Sequence, residues 1–214
     1  MQEQVTIMMT YYRTDDQVIH EEEKLSDGVW VQMINPTHDE CEEIAEKLMV
    51  DIDDVKAALD VEESSRIELQ DGYTLILVDI PTIEIRHDQR TYTTIPLGII
   101  LTQDIIVTIC TEDTPVLQNF VRSLYWTAAI YQANLRIIDK RRTEIEERVG
   151  SDTDDSDLIN LHELESTLVY FATSLRANGV VLDRLTRYKR LEQYPEDKEL
   201  LDDVIVENRQ AIEM

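Results

Sequence analysis

The sequence predicts an α+β chain: an N-terminal α/β domain with a mixed sheet and flanking helices, followed by long stalk helices. Three observations carry this reading. Short β-branched stretches recur through the first half and then cease near Thr114. A helix-start signal, Asn35-Pro36-Thr37, interrupts them early. From Ser156 onward, leucines and their equivalents recur at spacings of three and four. The expected boundaries are residues 1–113 for the sheet domain, 114–155 for connecting helices, and 156–214 for a helical hairpin with a truncated stalk.

Strands are expected at Val5–Met9, Val29–Ile34, Arg66–Gln70, Tyr73–Ile80, Ile95–Thr102 and Ile105–Cys110. Asp71-Gly72 reads as a two-residue hairpin turn whose two central positions both want positive φ. Gln103-Asp104 could close another, with a weaker signal because it lacks glycine. Between the early strands and Arg66, Thr37 and Glu40 have capping-box spacing, and Ile44, Ala45, Leu48 and Met49 give the buried face of the helix they open. A second short helix follows, capped by Asp51, with Ile52, Val55, Ala58 and Leu59 inward.

Beyond Thr114, Leu135, Ile138, Ile145 and Val149 mark a helix that stops at Gly150. Leu161, Leu164, Leu168, Phe171, Leu175, Leu182 and Leu185 then form a heptad seam that breaks at Asn178. A helix from Ser156 to Leu191 would be roughly 54 Å long and needs other helices beside it. Tyr194-Pro195 opens a further helix, with Leu201, Val204, Ala211 and Ile212 on its apolar face. No cap follows in Gln210-Ala211-Ile212-Glu213-Met214, so the helix is expected to continue beyond Met214.

Composition narrows the function classes. The 43% hydrophobic content over 214 residues suffices for a buried core, so this is no disordered acidic chain. A net charge of −25 argues against nucleic acid and anionic membrane surfaces and favours cations or basic partners, although a solvated acidic surface explains it equally simply. Cys41 and Cys110 fit no disulfide or zinc spacing and are expected as core thiols in a reducing, cytoplasmic compartment. The N-terminus lacks the pattern of a secretory signal. Ile95 to Ile109, the longest apolar candidate, is interrupted by Pro96, Gly98, Gln103 and Asp104 and is too short to span a membrane.

Five dispersed glycines form no phosphate-cradling loop, and His20, His38, His87 and His162 are too isolated for a metal pair or a triad, so an enzyme is not expected. Asp152, Asp154, Asp155 and Asp157 superficially resemble a calcium loop, with Ser156 fifth and Glu163 twelfth. The sixth position is Asp157 where glycine is required. An acidic helix start explains the run without any metal, leaving at most weak, non-selective divalent binding.

The order of elements resembles a known family. Trp30-Val31-Gln32-Met33-Ile34-Asn35-Pro36-Thr37, then Ala58-Leu59-Asp60, Ser65-Arg66-Ile67-Glu68 and the run Tyr73 to Pro81 look like the cytoplasmic portion of CorA-type magnesium/cobalt transporters. Leu135 to Asp139, Leu168 to Asn178 and Asp202 to Glu213 resemble the helices that precede the pore in that family. The resemblance implies the cytosolic regulatory domain of a homopentameric divalent-cation channel at the cell membrane, gated by intracellular Mg2+, with Co2+ or Ni2+ as further cargo. It implies no organic cofactor, and contact with the membrane only through segments absent from this chain. It also implies a regulatory Mg2+ bridging carboxylates of neighbouring subunits: Asp203 matches the stalk position, whereas the partner position falls at Ala57 beside Lys56, so either Asp53, Asp54 or Asp60 substitutes or magnesium is sensed elsewhere. The alternatives are the equivalent domain of a zinc transporter on the same scaffold, or a coiled-coil adaptor.

Overall fold

The computed structural model describes residues 9–15, 18–86, 89–114, 117, 123–149, 155–187 and 195–214. The chain divides into two compact units, Met1–Val78 with Pro96–Asp113, and Asp79–Ile95 with Thr114–Met214. Seven strands form one mixed sheet: β1 (Met9–Asp15), β2 (Val18–Glu22), β3 (Trp30–Ile34), β4 (Arg66–Leu69), β5 (Thr74–Arg86), β6 (Gln89–Leu101) and β7 (Ile106–Cys110). Their spatial order is β2-β1-β3-β7-β6-β5-β4, with β3 and β7 parallel and β1 antiparallel to both β2 and β3. The α+β class expected from the sequence is the one observed.

In the first unit, α1 (His38–Leu48) starts where the capping box requires. The Thr37 hydroxyl accepts from the Glu40 amide and the Glu40 carboxylate accepts from the Thr37 amide, satisfying two donors that a helix start leaves free. Cys41, Ile44 and Ala45 are the buried face. Met49 departs from the expectation: it is 87% exposed and ends the helix in a left-handed conformation, φ 54°. Left-handed backbone turns the side chain off the helical stripe, so the apolar periodicity stops one residue early. Asp51 caps α2 (Ile52–Lys56) by accepting from the Asp53 amide, and a 3-10 turn, Ala57–Leu59, follows. These helices close one core with the strands, built from Val31, Met33, Ile44, Val55, Leu75 and Val107. Full burial of each large aliphatic side chain there contributes roughly 1.5–3 kcal/mol.

Both hairpins form. Gln70 N–H donates to Tyr73 O across Asp71-Gly72, but only Gly72 takes positive φ (90°). The turn therefore needs one permissive residue, not two. Thr102 N–H donates to Ile105 O across Gln103-Asp104, with both residues at ordinary φ. The strand limits differ from those expected. Residues 5–8 lie outside the described residues, and β1 runs onward to Asp15. The acidic strand β2 carries no apolar alternation, since four of its five residues are exposed. Strand β5 continues through Pro81 and β6 starts well before Pro96. Proline's fixed φ lies in the extended region, so it removes a donor without ending the strand.

In the second unit, α3 (Ser123–Val149), α4 (Asp155–Leu185) and α5 (Pro195–Glu213) pack pairwise. Pro195 occupies the first turn, where a missing N–H is harmless. Leu135, Ile138, Phe171, Leu175 and Ala211 form the core with Tyr92 of β6. The leucine seam of α4 is buried at Phe171, Leu175, Leu182 and Leu185, whereas Leu168 is 38% exposed and Thr167, Ser174 and Asn178 widen the buried face. Asn178, the expected break in the seam, lies within the packed face. Its amide finds backbone partners, which removes the penalty for burying it.

Candidate metal-responsive carboxylates

Of the four carboxylates singled out above, three belong to the first unit. Capping by Asp51 sets the pitch of α2, which leaves Asp53 exposed and turns Asp54 toward the β4–β5 turn. There the Tyr73 hydroxyl donates to Asp54 at 2.6 Å and Gln70 Nε2 donates at 3.3 Å. The same Tyr73 oxygen accepts from the Asp51 amide at 3.1 Å. Burial, then the bond to Asp54, pushes the Tyr73 phenol up to about 12. Asp54 is thus engaged in holding α2 to the hairpin. Asp60, exposed, accepts from the Glu62 amide at 3.0 Å in a tight turn after the 3-10 segment.

Asp203 lies on α5 in the second unit, one position before the buried Val204, so its carboxylate is exposed. Among the described residues neither Asp203 nor the Asp53 side chain has a hydrogen-bond or ion-pair partner. Ala57 is buried in the core, 8% exposed, so no side chain at that position reaches solvent without leaving the packing. No three His, Cys, Asp or Glu side chains converge into a metal-sized group among the described residues. The side chains of Asp152 to Asp157 lie outside the described residues.

Cys41 and Cys110 are buried free thiols, as expected. Burial raises both, Cys110 to about 11. The sequence reading missed Tyr73 as the group that organises Asp51 and Asp54. Its only signal was an aromatic directly after a Gly turn, opposite a capped acidic helix.

Residues 26–129 match the model of the CorA-like Mg2+ transporter protein family. Over this stretch, just under half of its length, the chain is similar to the CorA family. It is 24% identical over 220 residues to the cobalt/magnesium transport protein CorA of Methanocaldococcus jannaschii, covering 93% of this chain and 67% of that one. The structure of the soluble domain of that CorA superposes on 98% of this chain and 91% of its own length, with a TM-score of 0.84 at 22% identity. The ZntB cytoplasmic domain of Vibrio parahaemolyticus shares the fold more distantly, with a TM-score of 0.69 at 12% identity over 96% of this chain and 91% of that one. The chain thus shares the fold of a CorA soluble domain over nearly its whole length, and no helix among its described residues is long and apolar enough to cross a membrane.

Proposed function

We propose that this CorA-type chain is the cytosolic regulatory domain of a Mg2+ channel, with Co2+ or Ni2+ as further cargo, and that it acts within a homopentamer whose gating responds to intracellular Mg2+. The observation that supports this most directly is the likeness to the CorA soluble domain over 98% of the chain. The side-chain geometry refines the choice of ligands. Asp203 and Asp53 are exposed and unpartnered among the described residues, whereas Asp54 is bonded to Tyr73 and Gln70 and Asp60 to the Glu62 amide. On that exposure we take Asp203 of one copy and Asp53 of another as the candidate pair to share an ion. Mg2+ suits such a site because it keeps most of its waters and takes one or two carboxylates.

Charge works in the same direction. Assembling chains of −25 builds up repulsion that divalent cations relieve, so they bind the assembled form in preference. At ten times its Kd, each such ion would stabilise the assembly by about 1.4 kcal/mol. The test is sedimentation velocity and thermal unfolding of this chain across a Mg2+ titration, with Asp203→Asn as the control. A Mg2+-dependent gain in size or melting temperature that Asp203→Asn abolishes is expected. No response in either measurement would sink the proposal. The fold shared with ZntB keeps a zinc-transporter domain as the second reading, favoured if Zn2+ but not Mg2+ elicits the response. Cation uptake by the full-length protein would then decide the cargo.

A further inference from the structure

Two buried asparagines tie one turn of α4 to its neighbours, Asn178 from α4 itself and Asn208 from α5. Asn178, 4% exposed, treats the peptide of Asp79 on β5 as a paired strand would: its Oδ1 accepts from Asp79 N at 2.8 Å and its Nδ2 donates to Asp79 O at 2.7 Å. Thr167 and Ser174 lie on the same face of α4, eleven and four residues earlier. Thr167 donates to Tyr92 O at 3.1 Å, and Ser174 Oγ bonds to Thr94 Oγ1 at 3.2 Å. From α5, Asn208, also 4% exposed, donates to Leu175 O on α4 at 3.0 Å. Gly179 leaves room for it, since a Cβ there would sit 3.3 Å from Asn208 Nδ2.

We propose that residues 175–179 of α4 form a register lock, in which Asn178 and Asn208 together fix α4 against β5 and α5, so that a displacement of α5 is carried to the Asp79 peptide. An apolar seam tolerates sliding, because a shift of one turn exchanges one set of methyl contacts for another. A polar seam does not. Moving α4 by one turn would present Leu182 or Ser174 to Asp79. Leucine can pair with neither peptide group and serine cannot reproduce the two-point contact, so buried donors and acceptors would be stranded. A similar constraint holds at α5, where a Cβ at position 179 would press on Asn208 Nδ2 at 3.3 Å and displace it by a few tenths of an ångström. Asp79 directly follows Val78, the last residue of the first unit on β5, so the lock acts at the point where the strand enters the second unit. This device goes beyond metal sensing and holds whichever cation is sensed.

The test is amide hydrogen exchange of the whole chain by NMR, reading the protection factor of Asp79 with Val31 of β3 as an internal reference. Asn178→Leu should lower Asp79 protection at least tenfold by removing its acceptor. Asn208 bonds to Leu175 O on α4, and Asn208→Leu should lower Asp79 protection at least fivefold with Val31 unchanged. Asp79 protection within twofold of wild type in Asn208→Leu, or equal losses at Asp79 and Val31, would overturn the lock. If Asn178→Leu does not fold, Asn178→Asp replaces it. Its carboxylate keeps an acceptor for Asp79 N but sets a charged oxygen against Asp79 O where a donor stood, so protection should fall at neutral pH and recover relative to wild type as pH falls through the carboxyl pKa. A deficit that persists unchanged at acid pH would count against the proposal.

Discussion

Gly98 on β6 offers the sharpest test of how the first unit is packed. A Cβ built there would lie 2.8 Å from Ala58 Cβ, with Leu77 Cδ2 at 3.6 Å and Ile109 Cβ at 3.7 Å. Ala58 is fully buried in the 3-10 turn, and its Cβ is fixed to backbone, so relief requires moving the turn or the strand. Overpacking of this kind costs about 1–3 kcal/mol. Replacing glycine in a strand returns about 0.5–1 kcal/mol of backbone entropy, which leaves Gly98→Ala destabilised by roughly 1–2 kcal/mol. With a urea slope of about 1–3 kcal/mol/M, the unfolding midpoint should fall by about 0.3–2 M. Ala58→Gly makes the missing space, so the double variant should recover part of the loss and show a coupling of about 1 kcal/mol in a double-mutant cycle. The assay is equilibrium urea unfolding followed by tryptophan fluorescence. Wild-type stability in Gly98→Ala, or strict additivity of the two changes, would refute the close approach of the turn to β6.

Thr37→Ala removes the capping box and should cost about 1 kcal/mol, read as a lowered thermal midpoint, with Thr37→Ser close to wild type. Tyr73→Phe removes the partner of the Asp51 amide and one of the two donors to Asp54, and should destabilise the chain by about 1 kcal/mol in urea. The Tyr73 phenol is raised in the folded state, so its contribution is fully present below pH 10 and is lost as pH rises toward about 12. Tyr73→Phe should flatten that part of the alkaline stability profile, and a profile as steep as wild type would argue against the assignment. Cys41 and Cys110 should be silent to a thiol reagent at neutral pH until denaturant is added, because both are buried and raised.

Local signals proved reliable wherever a few neighbouring residues fix the outcome. The Thr37–Glu40 box, the Asp51 cap, Pro195 in the first turn of α5 and the Gly72 turn depend on contacts within four residues. Strand limits were less legible. Glu21 and Glu22 carry no apolar alternation, and β2 exists because β1 offers it a register, from Tyr11 against Glu22 to Asp15 against Val18. The prolines hid the length of β5 and β6 for the same reason: propensity counts the donor lost and not the partners that remain.

The sequence by itself determined the α+β order, the caps and hairpins, the helical second half and the CorA resemblance, because each rests on short-range chemistry or on the succession of elements. Tertiary structure alone decided what else α4 buries. The leucine spacing marked a seam whose Phe171, Leu175, Leu182 and Leu185 are buried, but the same helix also buries Thr167, Ser174 and Asn178, whose partners lie on β5 and β6. A polar residue reads as exposed until its hydrogen-bond partners are known, and those of Asn178 stand 99 positions away. The candidate carboxylates divide in the same way. Sequence placed four of them, and only the fold distinguished Asp54, held by Tyr73, from Asp53 and Asp203, exposed and unpartnered among the described residues.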